Sequence, residues 1–141
     1  MSKFESSDAW MFLSVAYSAQ DGPGSLDAFY GAADHINCAI PTREEIEGGI
    51  NRLASVGLVR VEDGAFALTD AGRQLFENVC HQTPYPRLQP EVVEEHLRAL
   101  RPSDGGSGYW ALSPKDAHAN LSVFRKRASD AIRKIRHGRT L

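Results

Sequence analysis

Residues 40–72 restrict the possible folds more than any other stretch of the chain. Thr42 stands three residues before Glu45, the reciprocal pairing of a helix cap with its third residue, and Pro41 and Ile46 bracket it as an apolar staple. Ile46, Ile50 and Leu53 then recur at helical spacing with Val56 on their flank, and Gly57 supplies the stop. Asp63 and Gly64 ask for a type I′ hairpin turn. Counting outward from it pairs Val61 with Phe66, Arg60 with Ala67 and Val59 with Leu68. Only that register puts Val59, Val61, Phe66 and Leu68 on one face. Thr69 caps the next helix, whose inward face is Leu75, Phe76 and Val79. The stretch is therefore a capped helix, a two-residue hairpin and a second capped helix.

Two more helices are expected upstream. Ser6 or Ser7 caps the first, over residues 8–18. Trp10, Leu13 and Tyr17 share one of its faces while Met11, Phe12 and Val15 fill others, so it is expected to be covered on nearly every side. Residues 20–24 form a loop. Ser25 caps the second helix, with Leu26, Phe29, Ala33 and Ile36 inward and Asn37 as a left-handed terminator. Downstream, residues 83–87 form a stiff, proline-bearing linker, followed by a short helix over residues 90–100 with Val93, Leu97 and Leu100 inward. Residues 101–108 are a Gly- and Ser-rich loop, and Tyr109 and Trp110 are expected to anchor its end. Ser113, Pro114 and Asp116 open a long helix to about residue 136, roughly 34 Å at 1.5 Å per residue. Its apolar stripe is Leu121, Phe124, Ala128, Ile132 and Ile135.

The run Leu53 to Leu75, in the form Leu x x x Gly Leu Val, hairpin, Leu Thr x x Gly x x Leu, resembles the end of a winged-helix domain of the MarR-like and PadR-like bacterial regulator type. The resemblance spans roughly residues 8–82. The segment from hairpin to helix is its specific part, while the first two helices match in length and pattern. The stretch Asp34, His35, Ile36, Asn37, Ile40 and Thr42 also resembles a small bacterial family to which no chemistry is attached. The expected fold is mainly α with a small β-hairpin: a winged helix-turn-helix over residues 1–82 and a helical extension over residues 83–141.

In the resembled family the third helix enters the DNA major groove and the hairpin touches the backbone or the minor groove. Carried over residue by residue, the resemblance implies contacts from Arg43, Glu44, Glu47, Asn51 and Arg52 on helix three and from Arg60 on the hairpin. Charge complicates this. Residues 1–82 hold five Lys/Arg against twelve Asp/Glu, a net of −7, and residues 83–141 hold eleven against six, a net of +5. Phosphate neutralisation by Lys and Arg supplies most non-specific DNA affinity, so the front half starts at a disadvantage. The long basic helix offers the missing charge through Arg125, Lys126, Arg133 and Lys134, and its stripe offers a dimer contact.

Two functions stay open on the sequence. One is a DNA-binding transcriptional regulator, a homodimer whose partner is double-stranded DNA. The other is a winged-helix protein-interaction or dimerisation module that binds no DNA. The position of the basic helix separates them: beside helix three it favours the first, against the acidic domain the second. An enzyme is not expected, because residues 105–108 lack the lysine of a phosphate-binding loop and the surface carboxylates form no acid pair. No cofactor or metal is expected either, since His35 with Cys38 and Cys80 with His81 lack the spacing of a zinc finger. No apolar run approaches a membrane span and two cysteines make no disulfide framework, so the expected location is the cytoplasm.

Overall fold

The computed structural model describes residues 3–102 and 110–138. The order of elements is α1 (Ser6–Ser18), α2 (Leu26–Asn37), α3 (Arg43–Ser55), β1 (Val59–Glu62), β2 (Ala65–Leu68), α4 (Asp70–Gln82), a 3₁₀ turn (Pro86–Leu88), α5 (Gln89–Leu97) and α6 (Pro114–Gly138). The protein is mainly helical with a small antiparallel hairpin, as the capping and periodicity require.

The hairpin has the expected register, Val59 opposite Leu68, Arg60 opposite Ala67 and Val61 opposite Phe66. Asp63 and Gly64 take φ of 50° and 79°, the left-handed pair of a type I′ turn. A piece of sheet absent from the sequence reading is added by Gly24, whose N–H and C=O both bond Phe66 at 2.8 Å. The segment 20–24 is thus more than a loop.

Thr42 and Glu45 form the reciprocal cap of α3. Thr69 does more at α4: its hydroxyl accepts from the Gly72 N–H at 3.0 Å and donates to the Gly57 carbonyl. Gly72 has a steric reason as well, since a Cβ there would stand 2.0 Å from the Leu58 carbonyl oxygen. The Leu Thr x x Gly pattern therefore ties the first turn of α4 to the chain entering the hairpin. Two helix ends differ from expectation. The cap of α1 is Glu5, paired reciprocally with Asp8, because that acid can reach back to the Glu5 N–H at 2.8 Å. The left-handed residue ending α2 is Cys38 (φ 51°), one position beyond Asn37.

Helix α1 lies at the centre, packed against α2, α3, α4, α5 and β2. Residues 8–16 are all buried, which accounts for a helix that is apolar on nearly every side. Trp10 satisfies its indole N–H on the Ala33 carbonyl at 2.9 Å. The extension joins this same core. Val93 and Leu97 of α5 are buried in it, and Gln89, 1% exposed, accepts from the Tyr17 hydroxyl at 2.6 Å while donating to the Thr83 carbonyl at 3.0 Å.

A buried ion pair binds α1 to α3. Arg52 grips the Asp8 carboxylate with two bonds, Nε to Oδ2 at 2.7 Å and Nη2 to Oδ1 at 2.9 Å, and the Asp8 side chain is fully buried. The helices approach closely because Gly49 has no side chain: a Cβ there would meet Met11 Cγ at 2.8 Å and Asp8 Oδ1 at 3.1 Å.

Candidate interaction surface on the third helix

Arg43, Glu47 and Asn51 lie at i, i+4 and i+8, which puts them in a row along one side of α3. All three are engaged by the chain's own extension. The Leu112 N–H donates to Glu47 Oε2 at 2.8 Å, Arg43 Nη1 donates to the Leu112 carbonyl at 3.1 Å, and Asn51 Nδ2 donates to the Trp110 carbonyl at 2.8 Å. The row thus holds a stretch of main chain that belongs to no helix or strand. Side chains fix it further: Leu112 is buried, and the Trp110 ring meets Phe66 edge-on with centroids 5.1 Å apart. Trp110 is therefore the hydrophobic anchor expected for this segment, while Tyr109 and residues 103–108 lie outside the described residues.

The remaining positions on helix three and the hairpin are mostly committed too. Arg43 also pairs with Glu44 at 3.0 Å and Glu47 at 3.4 Å. Arg52 is turned onto Asp8, with Glu5 at 3.4 Å. Its guanidinium is held more firmly protonated than usual, chiefly by the hydrogen bonds to Asp8, against the opposing cost of burial. Arg60 pairs with Glu62 at 2.8 Å, both about half exposed. Glu44, 73% exposed, is the member of the set that stands farthest into solvent. The surface that the resemblance would turn toward DNA thus presents carboxylate, and the two arginines of its helix, Arg43 and Arg52, are occupied, while Arg60 is held only in an exposed pair.

Helix α6 packs along α2 rather than beside α3. Ala117 is buried, Leu121 and Phe124 are half-buried against the core, and the Phe124 ring lies 3.5 Å from where a Gly31 side chain would begin. Arg127 bonds Asp27 of α2, an ion pair across the acidic and basic halves. Burial raises the Tyr30 hydroxyl pKa, and the charge of Arg125 partly opposes the rise. Beyond residue 130 the helix leaves its support. Positions 131–136 are all exposed, including Ile132 and Ile135 at 53% and 58%. Arg125, Lys126, Arg133 and Lys134 are exposed as well, and Val123 is 43% exposed.

The covering segment was only partly visible in the sequence. A Trp-Ala-Leu triplet between a Gly-rich run and a helix cap marks an anchor, but its seat on α3 depends on hydrogen bonds between residues 59 to 69 positions apart. The paired cysteine and histidine positions fall on different elements, with Cys38 exposed at the end of α2 and Cys80 partly buried on α4. No family model, no characterised protein and no solved structure matches the chain. Among the described residues no helix is long and apolar enough to cross a membrane.

Proposed function

We propose that this protein is a winged-helix interaction module of the cytoplasm that does not read DNA with its third helix, and that it assembles as a homodimer through α6. One observation carries the reading: Arg43, Glu47 and Asn51, the side chains a reading helix would offer to base edges, hold residues 110–112 of their own chain. Opening that surface for a duplex requires three hydrogen bonds to be broken and Leu112 and Trp110 to be withdrawn from apolar seats. The acidic surface that remains would still repel phosphate. The dimer rests on the free end of α6, where Ile132 and Ile135 are exposed one turn apart on a helix otherwise anchored to α2.

A specific observation favours the regulator reading as the second one. Arg125, Lys126, Arg133 and Lys134 stand exposed, and a basic helix of this kind can neutralise phosphates without help from α3. Titration of mixed genomic DNA at several salt concentrations, beside sedimentation of the protein alone, decides between them. The module reading expects a dimer and no salt-dependent DNA affinity. Tight binding that is weakened by Asn51→Ala at one preferred sequence would overturn it, and binding lost through Lys126→Ala or Lys134→Ala at every sequence would instead establish α6 as a phosphate contact.

A further inference from the structure

A cleft of about 370 Å³ opens between the end of α1, the outer side of the hairpin and the first turns of α4. Its lining is mixed: Ala16, Ala19, Pro23, Leu68 and Phe76 supply an apolar part, and Gln20, Arg60, Arg73 and Glu77 a polar one. Those two arginines are notable for where they occur. Residues 1–82 contain five Lys/Arg; Arg43 fastens residues 110–112, Arg52 is locked on Asp8, and Lys3 precedes the first helix. Both of the others line this one cleft. Cross-strand pairing accounts for part of it, since Arg60 lies opposite Ala67 and the two share the hairpin face turned away from the central core.

The cleft has the size of a small-molecule site, with an apolar part to seat a hydrocarbon body and charged groups to orient it. Its arginines are available to a ligand. Arg60 pairs with Glu62 and Arg73 with Asp70 at 3.5 Å, and all four side chains are half exposed or more, the kind of surface pair that a competing anion displaces easily. A guanidinium fork matches a carboxylate.

We propose that this cleft binds a small organic monocarboxylate with an apolar body, its carboxylate held between Arg60 and Arg73 and its body against Phe76, Leu68 and Pro23. Glu77, also in the lining, fixes the sign of the fit. It repels an anion, so neutralising it strengthens binding of a carboxylate, whereas a zwitterion would use it to hold an ammonium.

The experiment is a titration of the ¹⁵N-labelled full chain at low salt with sodium 4-methylpentanoate, with 4-methylpentanamide as the uncharged control. Saturable shifts at residues around the cleft are expected with the acid. The amide binds about tenfold more weakly or less, as loss of a charge-assisted hydrogen bond at a partly exposed site implies. Arg60→Gln and Arg73→Gln each weaken the acid about tenfold and Glu77→Gln strengthens it, while Ala19→Leu, which fills the cleft from a half-buried position, abolishes the shifts. Three results overturn the proposal: acid and amide binding alike, shifts confined to other surfaces, or an Arg60→Gln/Arg73→Gln double variant that binds as the unaltered chain does. Weakening of the acid by Glu77→Gln also overturns it, because a carboxylate held at Arg60 and Arg73 gains when a neighbouring negative charge is removed.

Discussion

Removing Arg52 tests the junction of α1 and α3 most directly. Asp8 is fully buried and its carboxylate receives three donors, two from Arg52 and one from the Glu5 N–H. Arg52→Ala leaves the carboxylate with one donor and no countercharge. Breaking one side of a buried pair costs about 3–5 kcal/mol. The Arg52 side chain is 17% exposed, so its truncation opens a path for water and puts the expected cost near the lower end, about 3 kcal/mol. Asp8→Ala costs less, about 2 kcal/mol, because the freed guanidinium can still reach water and Glu5; part of that loss is the reciprocal cap of α1. The double variant should cost only about 3 kcal/mol, giving a coupling of about 2 kcal/mol between the two positions.

Urea unfolding of the four proteins measures these values. With a slope of about 2 kcal/mol per molar, Arg52→Ala should move the midpoint by roughly 1.5 M without changing the slope. Arg52→Lys keeps the charge and loses the two-pronged grip, so its midpoint should fall between. A loss below about 1 kcal/mol for Arg52→Ala, or costs that simply add in the double variant, would refute the assignment of Arg52 to the interior.

Other expectations are simpler to state. Gly72→Ala should destabilise by several kcal/mol or prevent folding, because backbone cannot move out of a 2.0 Å approach as a side chain can; thermal unfolding reads this. Asn51→Ala releases the Trp110 carbonyl, so it should loosen residues 110–112 and speed hydrogen exchange at the Leu112 amide, which Glu47 holds, while lowering global stability by about 1 kcal/mol. Cys38 should alkylate well before Cys80, since Cys38 is exposed whereas burial pushes the Cys80 thiol pKa up, against a weaker opposing bond from Gln89; mass spectrometry after brief iodoacetamide treatment checks the order. Burial also raises Tyr17 and Tyr30, so the folded chain retains protons that the unfolded chain releases. Stability from these groups is full below their ordinary values of 9.0 for the thiol and 10.0 for the phenols and is lost as pH rises through the raised values, as melting across pH 8 to 11 should record.

The parts of the fold that were legible in the sequence are those fixed by neighbours in the chain. Thr42 with Glu45, Asp63 with Gly64 and Thr69 with Gly72 each satisfy backbone groups within a few residues, so their residue types alone specify the geometry. Helix faces were legible for the same reason, since Ile46, Ile50 and Leu53 could be assigned inward from spacing alone. Gly24 escaped because a single bridging residue has no period. Asp8 and Arg52 escaped because a polar side chain on a helix is ordinarily solvated, and nothing local distinguishes one that meets a partner 44 positions away.

That same blindness shaped the reading of α3. Periodicity identifies the side of a helix that avoids the central core, but it says nothing of what lies on that side. Arg43, Glu47 and Asn51 look like a free polar row, and their spacing equally suits a ladder of donors and acceptors for a main chain lying across them. The deciding residues are apolar and remote: Leu112 and Trp110 bring residues 110–112 onto α3, and the polar row then satisfies backbone groups that such burial would otherwise leave without partners. In α6 the two halves of one stripe part company. Leu121 and Phe124 pack against the core, Phe124 beside Gly31 of α2, whereas Ile132 and Ile135 extend past it with cations on either side. Two such basic ends would repel each other along a shared axis, so a dimer built on them gains if the isoleucines of one copy reach the acidic front half of the other. High salt should then weaken that dimer, whereas a purely apolar seam between the two helices would tighten as their repulsion is screened.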